Sequence, residues 1–153
     1  MATKLPKHMS GIAGEYLVAA ELTRRGYVAS LTLRNTHDID ILASSADGAR
    51  QVAIQVKCDQ TKGSEWILGA KAERLVGPTI YYVFVRLHSG GTPEFFVVPS
   101  AVVAEFTSTS HREWLAKPGR KGQPHRDSSI RVFRDLEGKY RDSWQNLGLD
   151  SPE

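Results

Sequence analysis

The sequence contains a single cysteine, Cys58, among its 153 residues. One thiol cannot form a disulfide within the chain, so a small disulfide-stapled fold is excluded. This cysteine count fits a reducing compartment, and we expect the protein to be cytoplasmic. Cys58 itself is expected to be a small residue near the end of a strand.

Long apolar runs are also missing. No stretch approaches the roughly 18–20 apolar residues that cross a bilayer, and the start, MATKLPKHMSG, lacks the apolar segment of a secretory signal. We therefore expect no membrane association. The composition, 41% apolar and 24% charged, is that of a globular protein. We expect a flexible tail at 1–10 and a single domain at 11–149.

The chain has little excess of charge of either sign, because its formal net charge is only +3. Its distribution is uneven, however. From Lys117 to Arg134 there are six lysines or arginines and one acid, Asp127. Within this stretch, residues 117–129 (KPGRKGQPHRDSS) form what we call the basic loop. Such a segment suits phosphate backbones, although a solvated loop is an equally good explanation.

Hydrophobic periodicity predicts an α/β fold with a mixed central sheet flanked by helices. The first helix is expected from Gly11 to Arg25, capped by Ser10 and ended by Gly26, with Ile12, Ala19 and Leu22 facing inward and Glu15 on the same stripe. The remaining predictions are strands at 27–33, 38–44, 51–58, 66–68, 80–87, 94–98 and 130–133, a helical turn at 71–75, and helices at 101–106, 111–116 and 135–147.

The most informative pattern is a hairpin. Asp47-Gly48 lies midway between two alternating runs, DIDILAS and VAIQVKC, which favours two antiparallel strands around a tight turn. Paired positions then sum to 95, so Asp40 faces Gln55 and Asp38 faces Lys57. All four side chains share one face of the sheet, since side chains alternate along a strand.

Two carboxylates, an amide and an ammonium on one face suit metal-assisted phosphodiester hydrolysis. Mg²⁺ or Mn²⁺ prefers oxygen ligands, and Asp40 and Gln55 are the best candidates. The backbone carbonyl of Val56 could add a ligand, and Glu15 could approach the cation directly or through water. Lys57 could orient the attacking water or stabilise the developing negative charge. The plainer alternative for Asp38 and Lys57 is a surface ion pair.

This arrangement resembles the PD-(D/E)-x-K nuclease superfamily. The segments GEYLVAAELTRRGY, DIDILA and IQVK are similar to the branch of archaeal Holliday-junction resolvases and Gln-x-Lys homing endonucleases. The resemblance covers about residues 11–58 and implies a restriction-endonuclease-like core with Glu15, Asp40, Gln55 and Lys57 at the site positions. Two departures are Ile39 in place of the proline and Gln55 in place of an acid, which removes one negative charge.

The resemblance implies a Mg²⁺- or Mn²⁺-dependent DNA endonuclease that acts on duplex or branched DNA, and we expect a homodimer. The expected DNA-contacting residues are Lys71, Arg74, Arg120, Lys121 and Arg126. One alternative is a nuclease-fold protein that binds DNA or a regulatory partner and has lost cleavage, with Gln55 as the lesion. Another is an interaction module that uses the sheet edge and exposed aromatic residues.

Overall fold

The computed structural model describes residues 3–33 and 37–150. The α-helices are α1 (Lys7–Arg24) and α2 (Ser100–Ala116), and the strands are β1 (Val28–Leu31), β2 (Ile41–Ser44), β3 (Gln51–Asp59), β4 (Glu65–Gly69), β5 (Ile80–Arg86), β6 (Glu94–Pro99) and β7 (Ile130–Arg134). Short 3₁₀ helices cover Ala70–Glu73 and Trp144–Leu147. Neither of the α-helices in this described part is long and apolar enough to cross a membrane.

The central sheet has the strand order β1-β2-β3-β5-β6. Strands β3 and β5 run parallel, and the other neighbours are antiparallel. Alternate side chains of β5 enter different cores: Val83 and Val85 pack in the core that contains α1, whereas Tyr82 and Phe84 pack in the core that contains α2 and the β4–β7 ribbon. The predicted α/β fold, with a mixed sheet flanked by helices, is confirmed.

The contact between α1 and β3 is unusually close at Gly14. A Cβ atom built on this residue would lie 2.8 Å from Cys58 Cβ and 3.3 Å from its Sγ. The helix therefore sits on the sheet face that carries Val56 and Cys58. By alternation, Gln55 and Lys57 point to the opposite face.

The predicted hairpin register is confirmed. The ladder pairs Ile41 with Ile54 and Ser44 with Gln51, and both pairs sum to 95. The connection is wider than a two-residue turn, because the amide of Ser45 donates to the carbonyl of Arg50 at 2.9 Å. Gly48 adopts a φ of 73° within it, which a glycine tolerates without strain.

Strand β3 extends well beyond its neighbour β2. The β2–β3 ladder ends at Ile54, whereas the ladder with β5 continues to Asp59. In the described part of the chain, residues 55–59 therefore have a strand partner on one side only. We call the other side the open edge of β3.

The start of α1 differs from the prediction. The helix begins at Lys7, with Pro6 as its N-cap residue, so Ser10 lies inside it. Proline is compatible with this position because its preset φ matches the −54° found there and no carbonyl of the helix needs its missing N–H. The Ser10 hydroxyl donates back to the carbonyl of Lys7 at 2.9 Å instead of capping. The predicted end is confirmed, since Gly26 follows the helix with a φ of 88°.

The inward face of α1 is rotated from the predicted one. Its buried residues are Ser10, Gly14, Val18 and Leu22, a stripe at spacing four. Of the predicted inward residues, only Leu22 belongs to this stripe. Glu15 is half-buried beside it.

Two helix predictions in the second half were wrong. The helices expected at 101–106 and 111–116 are one continuous helix, α2. The polar residues between them do not interrupt it, since the buried Thr107 hydroxyl donates to the carbonyl of Val103 at 2.8 Å within the helix. The helix expected at 135–147 forms only as the 3₁₀ turn Trp144–Leu147. The carboxylate of Asp135 accepts the amides of Lys139 and Tyr140, both at 2.9 Å, which holds this segment in turns.

The glycine contact provides a test of helix placement. Gly14→Ala should destabilise the fold by about 1–3 kcal/mol, because the added methyl group overlaps Cys58. Gly11→Ala is the matched control, since its Cβ would meet nothing within 4 Å on the same helix. It should be neutral or stabilise by up to about 1 kcal/mol. Urea unfolding would measure both, and equal effects would contradict the described packing of α1.

Candidate active site

Asp40 is held directly before the first residue of β2. Its amide donates to the carbonyl of Ile54 at 2.9 Å, and its carbonyl accepts the amide of Thr32 at 2.9 Å. Its carboxylate accepts the amide of Val56 through Oδ2 at 2.7 Å. The backbone and side chain of Asp40 are therefore both fixed, one residue beyond the ladder and next to Gln55.

Burial raises the pKa of Asp40 above its ordinary value. The amide of Val56 and the charge of Lys57 act in the opposite direction, and the charge of Asp38 acts in the same direction as burial. The half-buried carboxylate thus lies within the field of a cation and of a second acid. Ionised Asp40 would gain from a further positive charge beside it.

Gln55 and Lys57 line one cavity of about 240 Å³, which we call the site pocket. Its other polar lining residues are Asp38, Lys71 and Tyr82. Gln55 and Lys57 therefore share a face, as the hairpin register predicted. Asp40 bonds the amide of Val56, between these two residues in β3, and its carboxylate feels the charge of Lys57, so three of the four predicted site residues come together.

Asp38 does not take its predicted place opposite Lys57. Strand β2 begins at Ile41, and Asp38 lies outside it with a φ of 67°, in the left-handed region. A residue with this φ cannot continue an extended strand, and a short polar side chain tolerates the left-handed region better than most. The carboxylate of Asp38 reaches Lys71 Nζ at 3.7 Å and still lines the site pocket.

The oxygen atoms at this position fit a divalent cation. Gln55 Oε1 is buried and has no hydrogen-bond partner among the described residues, which is costly for an amide oxygen unless something else occupies it. The Val56 amide points to the open edge, since it donates to Asp40 there. Its carbonyl points the same way, because both groups of one strand residue face the same side. Asp40, Gln55 and the Val56 carbonyl thus offer hard oxygen ligands.

Glu15 approaches from the other side of the sheet. It follows Gly14 on α1, which packs against Cys58. To act with Asp40, its side chain would have to reach past the open edge of β3. No three His, Cys, Asp or Glu side chains of the described chain are grouped so that they could hold a metal ion, and the role of Glu15 stays a prediction.

The predicted DNA contacts lie in two places. Lys71 borders the site pocket through its ion pair with Asp38, and Arg74 is exposed one 3₁₀ turn further on. Arg120, Lys121 and Arg126 are all exposed on the basic loop.

Two other arginines of this basic stretch are used in structural ion pairs. Arg131 is buried and pairs with Glu73, and Arg134 pairs with Glu65 at 3.0 Å. Within this basic stretch, the lysines and arginines of the loop itself therefore remain as candidates for contacts with phosphate groups.

The basic loop is folded back on α2. His125 stacks on Trp114 with ring centroids 4.0 Å apart, and His111 Nε2 lies 2.8 Å from Asp127 Oδ1. The loop leads into β7, whose first residue, Ile130, pairs with Gly69. Because Gly69 lines the site pocket, the end of the basic loop lies near that pocket.

Tyr82 is the site residue that sequence reasoning missed. The parallel ladder pairs it with Gln55, and it lines the site pocket while almost fully buried. Burial, with a smaller effect of the Asp38 charge, raises its pKa to about 12, so its hydroxyl stays protonated at neutral pH. The run IYYVFV marks a buried strand, but only the register with β3 places the Tyr82 side chain beside Gln55.

The raised pKa of Asp40 predicts how stability depends on pH. The unfolded chain releases this proton at a lower pH than the folded chain, so the contribution of Asp40 to stability falls as pH rises from about the ordinary value of 3.8 through the folded pKa. Asp40→Asn keeps an acceptor for the Val56 amide and removes the charge. In metal-free buffer it should melt at or above the parent temperature at pH 7, with the gain vanishing below about pH 4.

Thermal melts from pH 3 to 8 would measure this difference, with Glu105→Gln on the exposed surface of α2 as the control for loss of one carboxylate. A clear loss of stability at pH 7 in Asp40→Asn alone would contradict the assignment of Asp40 as an ionised group that burial disfavours.

Comparison with known proteins completes the description of the fold. No protein-family model matches the chain, and no curated protein matches it either. Among solved structures, the bacterial homing endonuclease I-Ssp6803I is similar, with a TM-score of 0.57 and 12% identity over 95% of this chain and 94% of that one. The Holliday junction resolvase Hjc of Archaeoglobus fulgidus matches with a TM-score of 0.47 and 17% identity, over 85% and 86% of the two chains. The likeness to the homing endonuclease, together with the mixed five-stranded sheet, shows a restriction-endonuclease-like fold.

Proposed function

We propose that this protein is a metal-dependent DNA endonuclease that hydrolyses phosphodiester bonds at the site pocket. The observation that carries the proposal is the grouping of Asp40, Gln55 and Lys57 at the open edge of β3, with an amide oxygen of Gln55 that is buried and unpartnered among the described residues. The likeness of the fold to a homing endonuclease supports DNA as the substrate.

Each residue has a separate task in this proposal. Asp40 and Gln55, with the Val56 carbonyl, would hold Mg²⁺ or Mn²⁺, and Glu15 would add an acid from α1. The bound cation would supply an activated water and neutralise charge on the phosphate in the transition state. Lys57 lies beside these oxygen atoms, so its ammonium group would orient the attacking water or stabilise the charge that develops on the phosphate.

Charges around the site would position the DNA. Lys71 lines the site pocket, Arg74 is exposed three residues further along the chain, and Arg120, Lys121 and Arg126 are exposed on the basic loop that ends near the pocket. We expect a homodimer on duplex or branched DNA. A symmetric substrate offers two equivalent phosphates, whereas one chain carries one candidate site.

Cleavage assays test the proposal directly. The parent protein should cut supercoiled plasmid or four-way-junction DNA with Mg²⁺ or Mn²⁺ and should stop when a chelator is added. Asp40→Asn should lose more than about 100-fold in rate, since even changes outside the ligand shell of a metal site cost about 10–100-fold. Glu105→Gln should cleave normally. Cleavage that survives in a clean preparation of Asp40→Asn would place the chemistry elsewhere.

The alternative function is a nuclease-fold protein that binds DNA or a regulatory partner without cutting. The observation that favours it is Gln55 itself, an uncharged residue at the position where the superfamily pattern has an acid.

Gln55→Glu decides between these two functions. In an active site the added carboxylate should tighten Mg²⁺ binding and keep or raise cleavage. Without metal it should lower the melting temperature, because a third carboxylate would join Asp38 and Asp40, and Mg²⁺ should restore the loss. Titration of melting against Mg²⁺ measures both effects. No Mg²⁺ response in Gln55→Glu, together with an inactive parent, would favour the binding protein.

The basic loop should supply affinity that does not depend on sequence. Changing Arg120, Lys121 and Arg126 together to alanine should weaken DNA binding and flatten its salt dependence by about one unit of log–log slope for each phosphate that the variant no longer neutralises. Fluorescence anisotropy at several salt concentrations would measure the slope. A slope equal to that of the parent would show that the loop is only solvated.

A further inference from the structure

Lys57 borders a second cavity besides the site pocket. This cavity, of about 450 Å³, lies at the end of β3 between the start of α1 and β4, and we call it the lysine groove. Its lining includes Lys4, Lys7, Lys57, Asp59, Gln60 and Ile67. Because Lys57 lines both cavities, the lysine groove adjoins the candidate active site.

Lys4 and Lys7 are held at the groove by two hydrogen bonds between the Leu5 backbone and the Gln60 side chain. The amide of Leu5 donates to Gln60 Oε1 at 2.8 Å, and Gln60 Nε2 donates to the carbonyl of Leu5 at 2.9 Å. This pair of bonds fixes the segment before α1 against the end of β3. Lys4 and Lys7, on either side of Leu5, therefore stay beside the groove.

The charge around the groove is positive. Of the described residues that line it, three are lysines and only Asp59 is acidic. The carboxylate of Asp59 turns to its own loop, where it accepts the amide of Thr61 at 2.8 Å and also the hydroxyl of that residue. An anionic ligand would therefore meet an excess of ammonium groups.

We propose that the lysine groove binds the sugar-phosphate backbone of a DNA strand whose scissile phosphate lies at the site pocket. The inference rests on the proposed function and adds the direction in which the strand leaves the site, along the open edge of β3. From residue 55 to residue 59 this edge is about 13 Å long, which matches the rise of about four nucleotides of one strand. Lys57 would contact the strand where the two cavities meet.

The test removes the two lysines that lie outside the candidate active site. Lys4→Ala/Lys7→Ala is compared with Arg24→Ala/Lys139→Ala, which removes the same charge from exposed positions that do not line the groove. DNA binding is measured by anisotropy in EDTA across a salt series, so that cleavage does not enter. The groove variant should bind about tenfold more weakly, with a salt slope lower by about two, and the control should match the parent.

A second measurement locates the binding surface. Amide chemical shifts of the parent protein are recorded with a six-residue thymidine strand, and the signals of Leu5 and Cys58 should move, because both residues line the groove. Circular dichroism confirms that both double variants are folded. Lys4→Glu/Lys7→Glu provides a stronger version of the same change if the alanine effect is small.

The outcomes separate this inference from the proposed function. Equal weakening by the groove variant and the control, or unmoved groove signals in a parent that binds DNA, would overturn the groove. A parent that binds no DNA would overturn it as well. If the groove variant alone loses affinity while the parent cuts nothing under any metal condition, the groove stands and the proposed catalytic function fails.

Discussion

One hydrogen bond, from the amide of Val56 to the carboxylate of Asp40, defines the candidate site. Strand β2 begins only at Ile41, so its backbone does not extend to the position that would accept this amide. The side chain of Asp40 replaces the missing backbone acceptor, so a buried donor stays satisfied. The same bond places a carboxylate next to Gln55 and holds it against β3.

The hairpin could be predicted from the sequence because its signals are local and mutually consistent. Asp47-Gly48 marks the turn, and alternation with a period of two assigns each side chain to a face. A register shifted by one residue would have moved Ile41 and Ile54 out of the core, where both are fully buried. The face shared by Gln55 and Lys57 follows from the same constraint.

The features that the sequence did not predict depend on hydrogen bonds that compete with regular structure. Asp38 was placed on a strand by alternation alone, but its left-handed backbone takes it out of the ladder. The amphipathic spacing of 135–147 suggested a helix, yet Asp135 accepts two backbone amides and forms turns. Tyr82 required the register between two strands that are distant in sequence, for which local patterns carry no information.

The open edge of β3 is also protected against pairing with a strand of another molecule. An unpaired strand edge normally invites another strand, and proteins protect such edges with charge or with covering elements. Here the unpaired stretch of β3 is short and lies between α1 and β4. Lys57 sits on it, and Gln60 at its end is tied to the segment before α1. A strand of another chain would have to displace these elements, whereas a narrow, flexible polyanion would not.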